Sequence, residues 1–229
     1  MTLQVNDVNH RGATPVASAF SEAPNGLTKL YAGSVKRGLD MLLVVLSLPI
    51  VLPIIVFLAV LVAMDGHNPF YTQNRVGRHG RIFRIYKLRT MIPNAKASLE
   101  SYLASDSAAR AEWEANQKLR NDPRITRLGK LLRNSSLDEL PQLINVLKGD
   151  MSLIGPRPMM IEQMPIYPGV AYYLLRPGVS GNWQVSDRNG TTFAARAAYD
   201  TEYHRDLSLW LDIKIIVRTL IVVLRGTGC

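Results

Sequence analysis

Arg133-Asn134-Ser135-Ser136-Leu137-Asp138-Glu139-Leu140-Pro141-Gln142, then Gly149-Asp150-Met151-Ser152, then Gly155-Pro156-Arg157-Pro158, is the stretch on which the reading of this chain turns. Residues 142–148 read as a helix, with Gly149 as its C-terminal stop. Proline is tolerated only in the first turn of a helix, where its missing N–H is not needed, so Pro141 sets the start within a few residues of Asp138. Ser136 and Glu139 also have the spacing of a capping box. That box would put Pro141 one residue too deep, so Asp138 at or beside the cap is the preferred reading. Two adjacent carboxylates then sit where a helix offers free N–H groups and partial positive charge, a setting that keeps an aspartate ionised and accepts phosphate. Neighbouring helical side chains diverge by about 100°. Asp138 and Glu139 therefore suit two jobs, such as nucleophile and metal or proton handling. A capped helix with two solvated acids is the other reading these residues allow.

The 229 residues are enough for one domain with appendages and a real core. A net charge of +9 favours anionic partners: phosphates, nucleic acid or acidic lipid. No nucleic-acid motif accompanies that charge, and nucleic acid is not an expected partner. Cys229 is the only cysteine, which excludes an internal disulfide and a cysteine-built zinc site and fits a reducing compartment. There is no Walker loop, no GxGxxG and no HExxH. Residues 1–34 are polar and small and read as a flexible tail; residues 1–30 lack the apolar core of a signal peptide.

Residues 41–64 carry no charge. A straight helix of that length reaches ~36 Å at ~1.5 Å per residue, and a hydrocarbon core is ~30 Å thick. A single span is one reading. Against it stand Pro49 and Pro53 near the middle, which should break or kink the helix, and basic residues on both flanks. Lys36 and Arg37 precede the segment; Arg75, Arg78, Arg81, Arg84, Lys87 and Arg89 follow it. Positive flanks mark the cytoplasmic side. A re-entrant helix over 35–65, broken at the prolines, places both flanks there and is the preferred expectation.

Residues 68–73 read as a short strand, 77–80 as a turn, and 81–89 as a second strand of alternating character. That alternation sets Arg81, Phe83, Ile85, Lys87 and Arg89 on one face, from which Lys87 and Arg89 can meet a diphosphate together; solvated or headgroup-facing cations are the plainer alternative. Residues 94–121 read as a helical hairpin, an insertion or lid. Arg124, Arg127, Lys130 and Arg133 form a slowly rotating basic spiral, with Arg133 able to fold back over the acid pair. Residues 159–175 are helix-prone. In 176–185, Arg176 leads a Gly-rich loop able to approach phosphate closely, and Trp183 reads as a core residue. Residues 209–224 form an apolar last helix, interfacial or buried, with Lys214 and Arg218 on it.

The order of these motifs carries a resemblance. Lys-Arg before an apolar segment with central proline, Tyr86-Lys87-Leu88-Arg89-Thr90-Met91, Asp122-Pro123-Arg124-Ile125-Thr126, Leu132-Arg133, Ser136 to Gln142, Lys148 to Ser152, Gly155 to Pro158 and Arg176-Pro177-Gly178 occur here in sequence. Over roughly residues 35–225 the chain resembles the bacterial sugar transferases, the monotopic polyprenyl-phosphate phosphoglycosyl transferases, and Ser186-Asp187-Arg188-Asn189 looks most like the type that initiates exopolysaccharide synthesis.

The resemblance implies transfer of a sugar-1-phosphate from a UDP-sugar to undecaprenyl phosphate at the cytoplasmic face of the bacterial inner membrane, with release of UMP. It implies Mg²⁺ and a covalent phosphosugar intermediate, with Asp138 as nucleophile, Glu139 as its partner, both as metal ligands, and Lys87, Arg133 and Arg157 on phosphate. The membrane helix of the family is re-entrant and bent at a proline. Galactose or glucose is the expected sugar; Asn182 and Asp187 depart from the family's pattern and leave an N-acetylated amino sugar as an alternative, and a non-catalytic basic membrane scaffold is the other. A homo-oligomer is compatible with all of these. The expected fold is mixed α/β and mostly helical. It joins the re-entrant helix to a compact cytosolic, membrane-associated catalytic domain over 66–229, with a small β element and amphipathic interfacial helices.

Overall fold

The computed structural model describes residues 30–116, 119–186 and 193–224. Most of the expected tail, residues 117–118 of the 94–121 hairpin, the 187–189 part of the exopolysaccharide-type element, and Cys229 lie outside them. A π-helical turn, Tyr31–Val35, leads into helix α1, Lys36–Ala63. An antiparallel hairpin follows, β1 (Phe70–Val76) and β2 (Ile82–Leu88). Helices α2 (Ala95–Ser105), α3 (Ser107–Asn116) and α4 (Arg127–Asn134) come next. A 3₁₀ segment, Leu137–Gln142, runs directly into α5, Leu143–Lys148. The rest is β3 (Ser152–Ile154), a 3₁₀ turn Ile161–Ile166, α6 (Ala171–Leu174), β4 (Gly178–Ser180), α7 (Arg196–Arg205) and α8 (Leu209–Leu224). β3 and β4 pair in parallel. Among the described residues the fold is mostly helical, with two small sheets and one long apolar helix near the N-terminus.

Helix α1 carries both prolines of the expected break. It runs from Lys36 to Ala63 as one helix, with Pro49 and Pro53 inside it and no break in its helical assignment. Each proline removes one N–H from the ladder, yet the helix is held from outside at both ends. Near its start, Val44 packs with Phe83, Ile85, Val146 and Met151. There Asp40 also accepts hydrogen bonds from the Ser152 hydroxyl and the Leu153 N–H. Near its end, Leu58, Ala59 and Val62 pack with Leu88 and Leu132. Arginines tie both ends. The Arg37 guanidinium donates to the carbonyls of Val146 and Leu147, and Arg89 donates to the Val62 carbonyl at 3.1 Å.

Between these anchors α1 is uncovered. Leu46, Ile50, Phe57 and Val60 are each 60–70% exposed. Left in water, each forgoes the roughly 1.5–3 kcal/mol that burial would contribute. A contiguous exposed apolar surface of this size marks a membrane or partner contact, and the 33-residue helical stretch Tyr31–Ala63 is, by length and composition, a membrane-anchor candidate. Helix α8 also has an exposed apolar face. Trp210, Ile213, Val217, Leu220 and Ile221 are exposed. The opposite face is buried: Ile215 joins the core with Tyr31, Ile154, Leu175 and Tyr203, and Asp212 takes Lys36 and the hydroxyls of Tyr31 and Tyr203. Lys214 stands over the Trp210 ring, as an interfacial cation does.

Two expected boundaries move. The first strand begins at Phe70 rather than residue 68 and extends to Val76, because Val76 is fully buried and bonded to Met159. The helix expected from near Asp138 is two pieces: Leu137–Gln142 is 3₁₀ and only Leu143–Lys148 is α. Ser136 precedes it with φ 56° and makes no side-chain cap. Neither the capping box nor an Asp138 cap forms; Asp138 is the second residue of the tighter turn. Gly149, at φ 89°, closes α5 as expected.

Candidate functional site

Three elements bring the site together. The 3₁₀ segment supplies Asp138 and Glu139. Its neighbour Leu137 packs into the α1–β2–α4 cluster, which fixes the segment's height. The buried Asn145 side chain bolts α5 to β2. Its amide donates to the Arg84 carbonyl at 2.8 Å, and its oxygen accepts from the Tyr86 N–H at 3.1 Å. Lys87, the next residue of β2, is thereby held against the acid pair: its Nζ is 2.6 Å from Glu139 Oε1 and 3.9 Å from Asp138 Oδ2. Arg157 comes from the third element. Gly155 and Pro156 are stitched to β4 through Gly155 N–H to Ser180 O at 2.9 Å and Gly178 N–H to Pro156 O at 2.8 Å. A Cβ on Gly155 would lie 2.3 Å from the Arg176 carbonyl, so only glycine permits this approach. The Arg157 guanidinium then reaches to 3.8 Å from Glu139 Oε1.

Asp138 is 7% exposed. Burial pushes its carboxyl up to about 6, the neighbouring Glu139 adds to the rise, and Lys87, Arg133 and Arg157 oppose it. At neutral pH it is ionised but poorly solvated, a combination that favours attack by a carboxylate. Arg133 lies against it with its Nε on the Thr90 hydroxyl at 2.9 Å; burial lowers its pKa while Asp138 raises it. Thr90 is itself fixed by close packing, since a Cβ on Gly129 of α4 would meet the Thr90 carbonyl at 2.0 Å.

A polar cavity of about 130 Å³ opens beside Glu139, lined in part by Arg75, Lys87, Glu139, Arg157, Gln163 and Arg196. Arg75 and Arg196 were not expected from the sequence. Arg75 faces Phe83 across the hairpin, and residues alternate in facing, so Arg75 shares a face with Ile85 and Lys87. Register was the signal that would have found it. Arg196 opens α7 and donates to the Arg157 carbonyl at 2.6 Å, with its guanidinium over the Trp183 and Phe193 rings. Trp183, half-buried, is thus a stacking partner of arginine as well as a packing residue. Burial and repulsion by Arg157 lower both guanidinium pKa values, that of Arg196 to about 10. Among the described residues the Nε atoms of Arg75 and Arg196 are buried without a hydrogen-bond partner. Mutually repelling guanidiniums with unused donors around a small cavity have the chemistry to accept an anion.

Two expected phosphate ligands are placed elsewhere. Arg89 does not follow Lys87 into the site. It lies beyond the end of β2 and pairs with Asp65 at 2.7 Å while bonding the carbonyls of Val62, Asn68 and Met91. Arg176 donates to the Gly149 carbonyl at 3.1 Å, beside Arg37 on the last carbonyls of α5. Both complement helix C-termini. The expectation that Lys87 and Arg89 meet one diphosphate fails because the alternation of β2 ends at Leu88, which is buried in the α1 cluster.

The model of the family described as "Bacterial sugar transferase" matches residues 31–226. The undecaprenyl-phosphate galactose phosphotransferase of Salmonella typhimurium is 46% identical over 89% of this chain. The UDP-galactose-lipid carrier transferase of Erwinia amylovora is 44% identical over the same share. This chain spans 43% of the length of each. The exopolysaccharide production protein ExoY of Rhizobium meliloti is 38% identical over 95% of this chain and 99% of its own length. The Asp138–Glu139 turn, the lysine beside it and the glycine-set arginine all lie inside the matched region, and the chain belongs to the bacterial sugar transferase family.

Proposed function

We propose that this chain is a phosphoglycosyl transferase that moves a hexose-1-phosphate from a UDP-sugar to undecaprenyl phosphate, releasing UMP, in the first membrane step of exopolysaccharide synthesis. The observation that carries this reading is the buried Asp138 carboxylate beside Glu139 and within 3.9 Å of Lys87, two residues that line a cavity together with Arg157, Arg75 and Arg196. In the first step an Asp138 oxygen attacks the β-phosphorus. The bond from that phosphorus to the bridging oxygen breaks, and UMP leaves with the electron pair, its charge held by the arginines. In the second step a phosphate oxygen of undecaprenyl phosphate attacks the same phosphorus and the Asp138 carboxylate is released. Splitting transfer in two lets a soluble nucleotide and a membrane lipid use one site in turn.

The carboxylates fit Mg²⁺, which is commonly bound through one or two carboxylates plus substrate phosphates rather than by a protein cage. Among the described residues no group of three or more His, Cys, Asp or Glu forms such a cage. Asp138 and Glu139 would hold the ion, with substrate oxygens completing its shell; when bound it masks diphosphate charge and acts as a Lewis acid. Galactose is favoured by the names of two relatives, glucose follows, and an N-acetylated amino sugar is the alternative donor.

The site lies at headgroup level on the cytoplasmic face of the bacterial inner membrane, with α1 dipping in and returning. In support, Arg37, Asp40 and Val44 at one end of α1 and Leu58, Ala59 and Val62 at the other meet the same body of the protein. The test is UMP release from a panel of UDP-sugars by nanodisc-held protein with Mg²⁺ and undecaprenyl phosphate. Release with one sugar, dependent on the lipid, supports the reading; folded protein that releases none overturns it in favour of a scaffold.

A further inference from the structure

A second cavity, about 450 Å³, is lined by no titratable side chain. One wall is α1, through Leu48, Leu52 and Val56; the other is the 3₁₀ segment and α5, through Leu140, Ile144 and Leu147. Its origin is the two-ended anchoring of α1. The helix is clamped to the body at Val44 and again at Leu58 to Val62, and its middle stands off. The walls are not closed over: Leu52, Val56 and Ile144 are each 48–55% exposed. The space is therefore a groove open along the exposed apolar face of α1.

Its position selects its occupant. Leu140 and Pro141 line the groove and follow Asp138 and Glu139 directly in the chain. An amphiphile whose phosphate stands at Asp138 must lead its tail away from the carboxylate. On one side lies the cationic cavity of Arg75, Arg157 and Arg196, where burying hydrocarbon would desolvate charge. On the other lies this groove, apolar throughout. We infer that the groove holds the first isoprene units of the acceptor's chain, so that α1 and α5 act as a clamp that aims the acceptor phosphate at Asp138. The inference rests on the transferase reading and adds a binding site to it.

The test uses the full chain in nanodiscs of phosphatidylethanolamine and phosphatidylglycerol. Benzoylphenylalanine placed at position 52 or, separately, at position 144 should crosslink to added undecaprenyl phosphate, and the adduct should replace phospholipid adducts as the acceptor is titrated. Phospholipid adducts that undecaprenyl phosphate does not displace would overturn the inference. This readout needs no turnover, so it is independent of whether UMP is released. In the second arm, Ile144→Trp and Val56→Trp narrow the groove from opposite walls. The ratio of kcat/KM for undecaprenyl phosphate to that for a short soluble prenyl phosphate should fall at least tenfold in each. An unaltered ratio in both variants would overturn the inference, whereas wild-type protein inert toward every UDP-sugar would remove the transferase reading beneath it.

Discussion

Lys87 Nζ lies 2.6 Å from Glu139 Oε1 and 3.9 Å from Asp138 Oδ2, so one ammonium on β2 serves both carboxylates of the neighbouring turn. It is the largest of the influences holding the Asp138 carboxyl down against its burial. Lys87→Met removes that influence. The Asp138 pKa then rises, and the acid limb of the kcat/KM profile moves to higher pH, because the nucleophile must be ionised. Loss of one buried charge contact to the transferring phosphoryl group also lowers kcat/KM about a hundredfold at neutral pH. A pH–rate profile with an unmoved acid limb would contradict this role.

Asp138→Asn is expected to abolish transfer while making the protein more stable. The folded carboxyl, at about 6, binds its proton more tightly than an unfolded aspartate near 3.9. Its favourable contribution is therefore present below about pH 4 and is lost as pH rises through about 6. Asparagine avoids the ionised, desolvated state. At about pH 8 the variant should exceed the wild type by on the order of 1–3 kcal/mol, with the gap closing toward pH 4. Thermal melting at the two pH values checks both sign and window.

Arg75 and Arg196 repel Arg157 and keep buried Nε donors unused. An anion in the cavity relieves both conditions. Arg75→Gln and Arg196→Gln should each weaken UMP binding about tenfold or more, the scale of a hydrogen bond to a charged group. Arg196→Lys should recover little, since an ammonium cannot keep the planar stack on Trp183 and Phe193. Titration calorimetry with UMP reads this without turnover; unchanged affinity in both glutamine variants would move the nucleotide out of this cavity.

The path of α1 is tested from the periplasm. In a Cys229→Ser background, His10→Cys and Arg120→Cys should both resist a membrane-impermeant maleimide in intact cells and both react after lysis. Reaction at one position alone in intact cells would establish a full span.

The local parts of this site were legible in the sequence; the assembly was not. Gly149 as a helix stop and the hairpin around residues 77–80 follow from short-range chemistry, whereas Lys87, Arg133 and Arg157 were set beside Asp138–Glu139 by the family resemblance. Arg89 was misplaced because alternation was extended one residue too far, past a Leu88 that the α1 cluster buries. Arg176 looked like a loop arginine at a phosphate, yet it serves the end of α5. Arg75 and Arg196 were missed because their convergence depends on strand register and on the first residue of α7. The 3₁₀ form of the Asp138 turn rests on a positive φ at Ser136, which no propensity indicates.

The most direct test of the central claim is covalent capture. Wild-type protein incubated with Mg²⁺ and a β-phosphorus-labelled UDP-sugar, without lipid acceptor, should acquire one labelled phosphosugar, located by peptide mass spectrometry at Asp138 and discharged on addition of undecaprenyl phosphate. Turnover without any labelled protein, or labelling that persists in Asp138→Asn, would contradict the assignment of Asp138 as the nucleophile.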